Sequence, residues 1–337
     1  MPATALDIGT YTLKALTGST GSKFKIDKAA EMSNSLGFSY PKDDTQAEQL
    51  LNLLNNFFND HKLPKSDVRL SLPEDAVSTK VIELPPLTDA ELASAIGWQA
   101  EQHIPIPQEE LTLEYQVLYR PPKKDKNSAM RVLIVGTKTE LIERYTNIFL
   151  NLGIQPKIME TQVFSIIRSL EFEPKDPTTL IVHLGANSML LAVVSQAELK
   201  LTLNHQGGGE LLTKTLQQAV NNLNQQQAEQ YKANYGLDPN QLQGKIRQHL
   251  LGPLQSFTDQ INKTIKFYNN QHNQNPISRL VLSGGSARLP GLIEHLSSVT
   301  GLEVLLAAPF APAGGNVPDV NHQAYIVCTG LLMRKGD

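Results

Sequence analysis

A chain of 337 residues, 40% hydrophobic and 19% charged, exceeds what one hydrophobic core usually organises and suits two or more domains. A formal net charge of -3 excludes a broad electrostatic pull toward nucleic acid or anionic lipid. The one cysteine, Cys328, excludes a disulfide framework and a cysteine-rich zinc site, and fits a reducing cytosol. The opening MPATALDIGTY lacks the basic segment and apolar run of a signal peptide, and no stretch approaches the ~18–20 apolar residues of a membrane span. The expectation is a protein that meets a membrane only through partners.

The first predicted element is a hairpin. Ala5-Leu6-Asp7-Ile8-Gly9-Thr10-Tyr11-Thr12-Leu13 reads as strand, Gly-centred polar turn and second strand, which runs on to Leu16. Thr45-Gln46-Ala47-Glu48 has the spacing of a capping box, and Leu50, Leu53, Leu54 and Phe57 mark one face of the helix it opens. Val68 to Leu72 and Val77 to Leu84 read as strands split by a turn at Pro73 and Glu74. A second box, Thr88-Asp89-Ala90-Glu91, starts a helix through Trp98 that must stop near Ile104, because Pro105 and Pro107 follow. Trp98 is expected in the core of this block. Leu113 to Tyr119 and Val132 to Val135 read as strands, and Lys123, Lys124 and Lys126 as a solvated loop. A third box, Thr137-Lys138-Thr139-Glu140, is expected to open a helix carrying Leu141, Tyr145, Ile148 and Leu152, ended by Gly153. The stretch from Ser78 to Glu160 therefore reads as a block inserted into a first lobe.

Pro174 and Pro177 bracket a hinge. Beyond it, Ile181-Val182-His183-Leu184-Gly185-Ala186-Asn187-Ser188-Met189 repeats the opening hairpin, with Ser188 in the place of Thr12. That match favours duplication over two unrelated hairpins. After Gly207-Gly208-Gly209 comes a Gln/Asn-rich stretch to about Asn275, in which Leu242, Ile246, Leu250, Leu254, Phe257, Ile261 and Ile265 keep helical spacing. Leu280 to Leu282 reads as a buried strand running into Ser283-Gly284-Gly285-Ser286-Ala287-Arg288, with Pro290 at a helix start. The last helix is expected from Gln323 to about Met333.

Chemistry points to the turns. A glycine at position 9 lets successive backbone N–H groups face a phosphate without side-chain obstruction. Asp7 at the strand end could orient a hydrated Mg²⁺, and Lys14 could reach a phosphate as a point charge. The Gly284-Gly285 pair between a buried strand and a helix start allows close approach of a flat or anionic ligand. Each feature alone is weakly specific, since an Asp beside a turn is commonly only a turn residue. The histidines offer no H-x-x-x-H pair for a protein-built metal site, and no G-x-S-x-G or Cys/His arrangement suggests a nucleophile.

Two related hairpins followed by a GG-x-A-R-x-P-G turn resemble the actin-like ATPases: Asp7-Ile8-Gly9 through Lys14 as phosphate-1, His183-Leu184-Gly185 as phosphate-2, and Leu282-Ser283-Gly284-Gly285 as the adenosine turn. A narrower resemblance covers nearly the whole chain. Ser71-Leu72-Pro73-Glu74, Glu83-Leu84-Pro85-Pro86-Leu87, Trp98-Gln99-Ala100-Glu101-Gln102-His103-Ile104-Pro105, Leu113 to Leu118, Ala228-Glu229-Gln230-Tyr231-Lys232 and Leu282 to Leu292 are similar to the PilM family of type IV pilus assembly proteins. The resemblance implies an α/β, two-lobed actin-like ATPase fold with an inserted 1C subdomain of the FtsA type. It would divide the chain into subdomain 1A (1–77 and 161–175), 1C (78–160), 2A (176–215 and 278–337) and a helical 2B (216–277). It implies ATP and Mg as ligands, held by Asp7, Gly9, Thr10, Tyr11, Thr12, Lys14, Gly185, Ala186, Asn187, Glu210, Lys214, Gly284, Gly285, Ala287 and Arg288, with Asp7 reaching the metal indirectly. It also implies binding of the cytoplasmic N-terminal peptide of PilN, contacts with other inner-membrane pilus assembly proteins and motor ATPases, self-association, and a cytoplasmic place at the inner membrane through partners.

One position departs from the superfamily pattern: phosphate-2 usually begins with Asp, and here stands His183. A neutral imidazole cannot replace a carboxylate facing Mg-ATP. Positioned acid–base help is worth about 10²–10⁴ in rate, so slow hydrolysis or none is expected. Whether His183 touches phosphate or only makes a local hydrogen bond is open at this stage. A small-molecule kinase is the alternative from another class, but it needs a general base for which the sequence offers no assignment. A filament-forming ATPase is a third reading.

Overall fold

The computed structural model describes residues 2–122, 128–220, 223–315 and 317–335; the lysine run at Lys123, Lys124 and Lys126 lies outside them. β1 (Ala3–Ile8) and β2 (Thr12–Gly18) pair antiparallel with Asp7 opposite Lys14, and β3 (Ile26–Ser33) adds to β2. The sequence reading has no third strand here, because Asp27, Lys28 and Glu31 break the apolar alternation of what is an edge strand. α1 (Asp44–His61) starts earlier than the Thr45 box implied: the Asp43 carboxylate accepts from Gln46 N at 2.8 Å, and the Gln46 side chain returns to Lys42 N. β4 (Val68–Leu72) then pairs parallel with β1.

β5 (Val77–Leu84), α2 (Asp89–Glu101), β6 (Leu111–Tyr119) and β7 (Met130–Lys138) form a separate three-stranded sheet, ordered β5-β7-β6, with one helix on its face. The Thr88–Glu91 capping box is present, with Thr88 N donating to Glu91 Oε2 at 2.8 Å. Leu92, Ile96 and Ala100 bury against Ile82, Met130, Val132 and Ile134. Trp98, two residues from Ile96 and Ala100, therefore points the other way and is 62% exposed, not in the core as expected. The third box does not form, since Thr137 still belongs to β7 and its hydroxyl donates to Ala76 O at 2.7 Å.

α3 (Thr139–Asn151) packs beside α1, and β8 (Pro156–Thr161) pairs parallel with β4. This corrects the block expected over 78–160: α3 and β8 share the first lobe's core and sheet, whose order is β3-β2-β1-β4-β8. After α4 (Gln162–Ser169), β9 (Thr179–Leu184), β10 (Ser188–Ser195) and β11 (Glu198–Gln206) repeat the β1-β2-β3 meander. α5 (Gly209–Ala219), α6 (Gln225–Tyr235) and α7 (Lys245–Gln271) form a helical layer, so α5 runs across the boundary expected at 215/216. Leu242 sits in the turn before α7 rather than on its apolar stripe.

β12 (Arg279–Ser283), α8 (Leu292–Thr300) and β13 (Glu303–Leu306) complete a second sheet ordered β11-β10-β9-β12-β13. Both sheets have three antiparallel strands followed by two parallel ones. That identity of order and sense is what duplication of one unit leaves behind. α9 (Ile326–Met333) is buried on every side. With α4 it lies between the sheets, where Ala3, Ala5 and Leu16 of one meet the same cluster as Ile181, Leu190 and Ala192 of the other. α9 thus packs largely on the first lobe's β1, β2 and β4, contrary to the assignment of all of 278–337 to the second lobe. Among the described residues no helix is long and apolar enough to cross a membrane.

Candidate functional site

The two hairpin turns face each other across a cleft of about 510 Å³. Each is closed by the same bond: Gly9 N donates to Thr12 O at 3.0 Å, and Gly185 N to Ser188 O at 2.9 Å. A Cβ at Gly9 would stand 2.8 Å from Thr12 O, so the tight turn needs glycine. In both turns the next two amides, of Thr10 and Tyr11 and of Ala186 and Asn187, take no protein acceptor among the described residues. Four donors left open on cleft-lining turns suit an anion with several oxygens.

The first lobe brings a carboxylate and a lysine to these donors. Asp7 Oδ1 accepts from Ser71 Oγ at 2.9 Å on neighbouring β4 and from Gln162 Nε2 at 3.0 Å at the start of α4. Its orientation is thereby fixed, while Oδ2 takes no protein donor among the described residues. Lys14, two residues on along β2, donates to the Thr12 hydroxyl. Glu74, beyond the end of β4, is buried with Oε1 accepting from Val163 N at 2.7 Å in the first turn of α4. Burial pushes its carboxyl up to about 7, against the lowering effect of that amide. Glu74 and Gln162 line the cleft and were missed from the sequence, because only the parallel pairing of β1, β4 and β8 brings them beside Asp7.

His183 occupies in β9 the place of Asp7 in β1. Its Nδ1 lies 3.0 Å from Ser283 Oγ, and part of the ring faces the cleft. Burial, with Lys14 adding to it and Asp7 opposing, holds the imidazole down to about 4, so it is neutral at physiological pH.

On the second lobe, the N-terminus of α5 sits on the second turn, with Gly209 N and Glu210 N donating to Gly185 O and Ala186 O at 2.9 Å. A Cβ at Gly208 would be 2.4 Å from Gly185 O, which explains the glycine run. Glu210 lines the cleft, but Lys214 bends back to it at 2.9 Å and is 60% exposed outside the lining. The second-lobe lysine that faces the cleft is Lys232 of α6. Its Nζ is buried and donates to Gly209 O at 3.0 Å, Thr213 Oγ1 at 3.0 Å and Glu229 Oε2 at 2.7 Å. Burial lowers its pKa, with Glu229 opposing. Burial raises the phenol of Tyr11, which reaches over from the first turn, and Glu229 and Glu210 add to the rise.

Gly284 and Gly285 line the end of the cleft. Gly284 has φ +89 and a Cβ there would meet Leu184 O at 2.3 Å; Gly285 opens onto free space. Ala287 is buried behind the turn and Arg288 is exposed, so neither lines the cleft. The structure thus brings together Asp7, Gly9, Thr10, Tyr11, Thr12, Lys14, Gly185, Ala186, Asn187, Glu210, Gly284 and Gly285, and leaves out Lys214, Ala287 and Arg288. Among the described residues no three or more His, Cys, Asp or Glu side chains cluster as a metal cage. The donor set suits Mg²⁺ held mainly by phosphate and water, with one carboxylate to orient it.

The fold recurs in solved structures. One described as a PilM-PilN type IV pilus biogenesis complex superposes with a TM-score of 0.82 at 20% identity, covering 98% of this chain and 97% of that one. MreB5 of Spiroplasma citri bound to ADP matches with a TM-score of 0.57 at 13% identity, over 98% and 94%. The ethanolamine utilization protein EutJ from Carboxydothermus hydrogenoformans matches at 0.58 and 12%, over 99% and 89%. The architecture is the two-lobed actin-like ATPase fold. The profile described as type IV pilus assembly protein PilM matches residues 5–336, and this chain belongs to that family.

Proposed function

We propose that this protein is a nucleotide-binding adaptor of type IV pilus assembly. ATP lies in the interlobe cleft with its phosphates on the open amides of residues 10–11 and 186–187, and Lys14 supplies a positive charge beside them. Asp7, held by Ser71 and Gln162, orients hydrated Mg²⁺, which when bound neutralises phosphate charge. Glu210, Glu229 and Lys232 face the ribose and base, and the Gly284-Gly285 turn admits the adenosine. The observation that carries this reading is the pair of equivalent turns with unpartnered amides facing one cleft.

With a neutral imidazole at position 183, the carboxylate that would place an attacking water is missing, and turnover is slow or absent. The nucleotide then acts by setting the angle between the lobes, a hinge closed around a ligand. The partner is the cytoplasmic N-terminal peptide of PilN, as the similarity to a PilM-PilN complex suggests. Through it the protein stays at the cytoplasmic face of the inner membrane, near other assembly proteins and motor ATPases. Titration calorimetry of a PilN N-terminal peptide with and without Mg-ATP tests this. A several-fold change in affinity is expected; equal affinities would remove the nucleotide gating, and no binding in either condition would remove the adaptor.

A further inference from the structure

We propose that copies of this chain associate head to tail, the indole of Trp98 on one copy entering an apolar recess in the helical layer of the next. The knob is Trp98, 62% exposed on the outer face of α2. Glu91 and Glu101, seven residues before and three after it, share that face and are exposed, so the indole stands between two carboxylates. Covering an indole this open would remove a large apolar surface from water, and tryptophan is enriched at protein interfaces for that reason.

The hole is about 540 Å³ and lies among α5, α6 and α7, walled by Val220, Tyr231, Leu242 and Ile246, with Lys245 and His249 at its rim. That volume falls in the range of about 300–1,000 Å³ typical of ligand pockets. Its lip is built at a conformational cost. Leu242 and Gln243, neither of them glycine, take φ 47 and φ 57, which leaves Leu242 45% exposed at the mouth. Two adjacent left-handed residues cost on the order of 1–2 kcal/mol each. Lys245 stands at the rim with His249, and residues 239–258 contain no Asp or Glu, so the charge around the hole is opposite to that around the knob.

Charge selects the pairing. Knob against knob would set Glu91 and Glu101 against their own copies, and hole against hole would do the same for Lys245; only knob to hole is complementary. A contact between two different patches leaves one of each free on the assembled pair, so it propagates into a chain or closes as a ring. This inference does not depend on the nucleotide reading.

Trp98 is the single tryptophan, so its fluorescence reports this contact alone. The test is sedimentation velocity and intrinsic fluorescence of the full chain over a wide concentration range. Association is expected, with Trp98 emission moving to shorter wavelength as concentration rises. Trp98→Ala and Leu242→Asp change exposed residues, and each should weaken association about tenfold or more. Mixed together, the first keeps the hole and the second keeps the knob; they should form one-to-one pairs and stop there, with the emission of the Leu242→Asp chain shifting when Trp98→Ala is added. A chain that stays monomeric throughout, an association that Trp98→Ala leaves intact, or a mixture that fails to pair would each overturn the proposal.

Discussion

Asp7 and His183 hold equivalent places in two copies of one hairpin, each two residues before the glycine that closes its turn, yet Asp7 faces Lys14 across its ladder and His183 faces Leu190. The charged pair of the first copy has become a neutral pair in the second. The backbone of both turns is kept, while the carboxylate–lysine pair stands only in the first. On the proposed reading of the cleft, binding geometry and catalytic equipment have separated in this chain.

Restoring a carboxylate tests that separation. His183→Asp is expected to raise the single-turnover rate of ATP hydrolysis by about 10²–10⁴, the range that a positioned acid–base group contributes. Phosphate release from pre-bound Mg-ATP is the readout. An unchanged rate would mean that position 183 does not limit the chemistry.

Glu74 makes stability depend on pH. Its folded pKa, about 7, lies above the ordinary 4.5, so between those values the native state holds a proton that the unfolded chain has released. Stability contributed by the protonated group is therefore complete below about pH 4.5 and is lost as pH rises toward 7. The gap of about 2.5 pH units corresponds to about 3 kcal/mol at full loss. Glu74→Gln keeps an oxygen for Val163 N without the charge, and should be the more stable protein in urea at pH 8 but not at pH 4.5. Equal stability at pH 8 would show that the carboxylate is not penalised by burial.

Gly284 is constrained twice, by its φ of +89 and by the 2.3 Å approach of Leu184 O to a Cβ. Gly284→Ala is expected to cost about 2–4 kcal/mol of unfolding free energy, combining backbone strain with overpacking. It should also weaken nucleotide binding by displacing the adenosine turn. A variant with unaltered urea midpoint would contradict the packing described here.

Gly330 governs the approach of the helices between the lobes. A Cβ there would lie 1.8 Å from Ser165 O of α4, so Gly330→Ala forces α9 away from α4. A loss of about 3 kcal/mol is expected. The hinge should loosen as well, seen as faster hydrogen exchange in α4 and α9 relative to α1. Unchanged exchange in both helices would show that the two can separate at no cost.

The parts of the site set by local chain geometry were legible in the sequence. A glycine at 9, 185 or 284 marks a turn wherever the rest of the chain goes. What was not legible comes from strands far apart in sequence: Gln162 reaches Asp7 across 155 residues, and Val163 reaches Glu74 across 89. Other misses had a signal that went unused. Leu212 and Leu216 set the buried face of α5 and place Lys214 outside, whereas Ala228 and Lys232, four apart, share the buried face of α6. Likewise Leu92, Ile96 and Ala100 fix the inner face of α2, and that periodicity alone excludes Trp98 from it. The extent of the inserted block was misjudged because β8 reads as a strand in either sheet; only its pairing with β4 assigns it.

The most direct measurement is to load the purified protein with Mg-ATP, remove free nucleotide, denature the protein and identify what is released. Intact ATP at close to one per chain is the predicted result, a cleft that binds and hardly hydrolyses. Release of ADP would contradict the inactivity assigned to His183, and no bound nucleotide, with no affinity on direct titration, would contradict the assignment of the cleft itself.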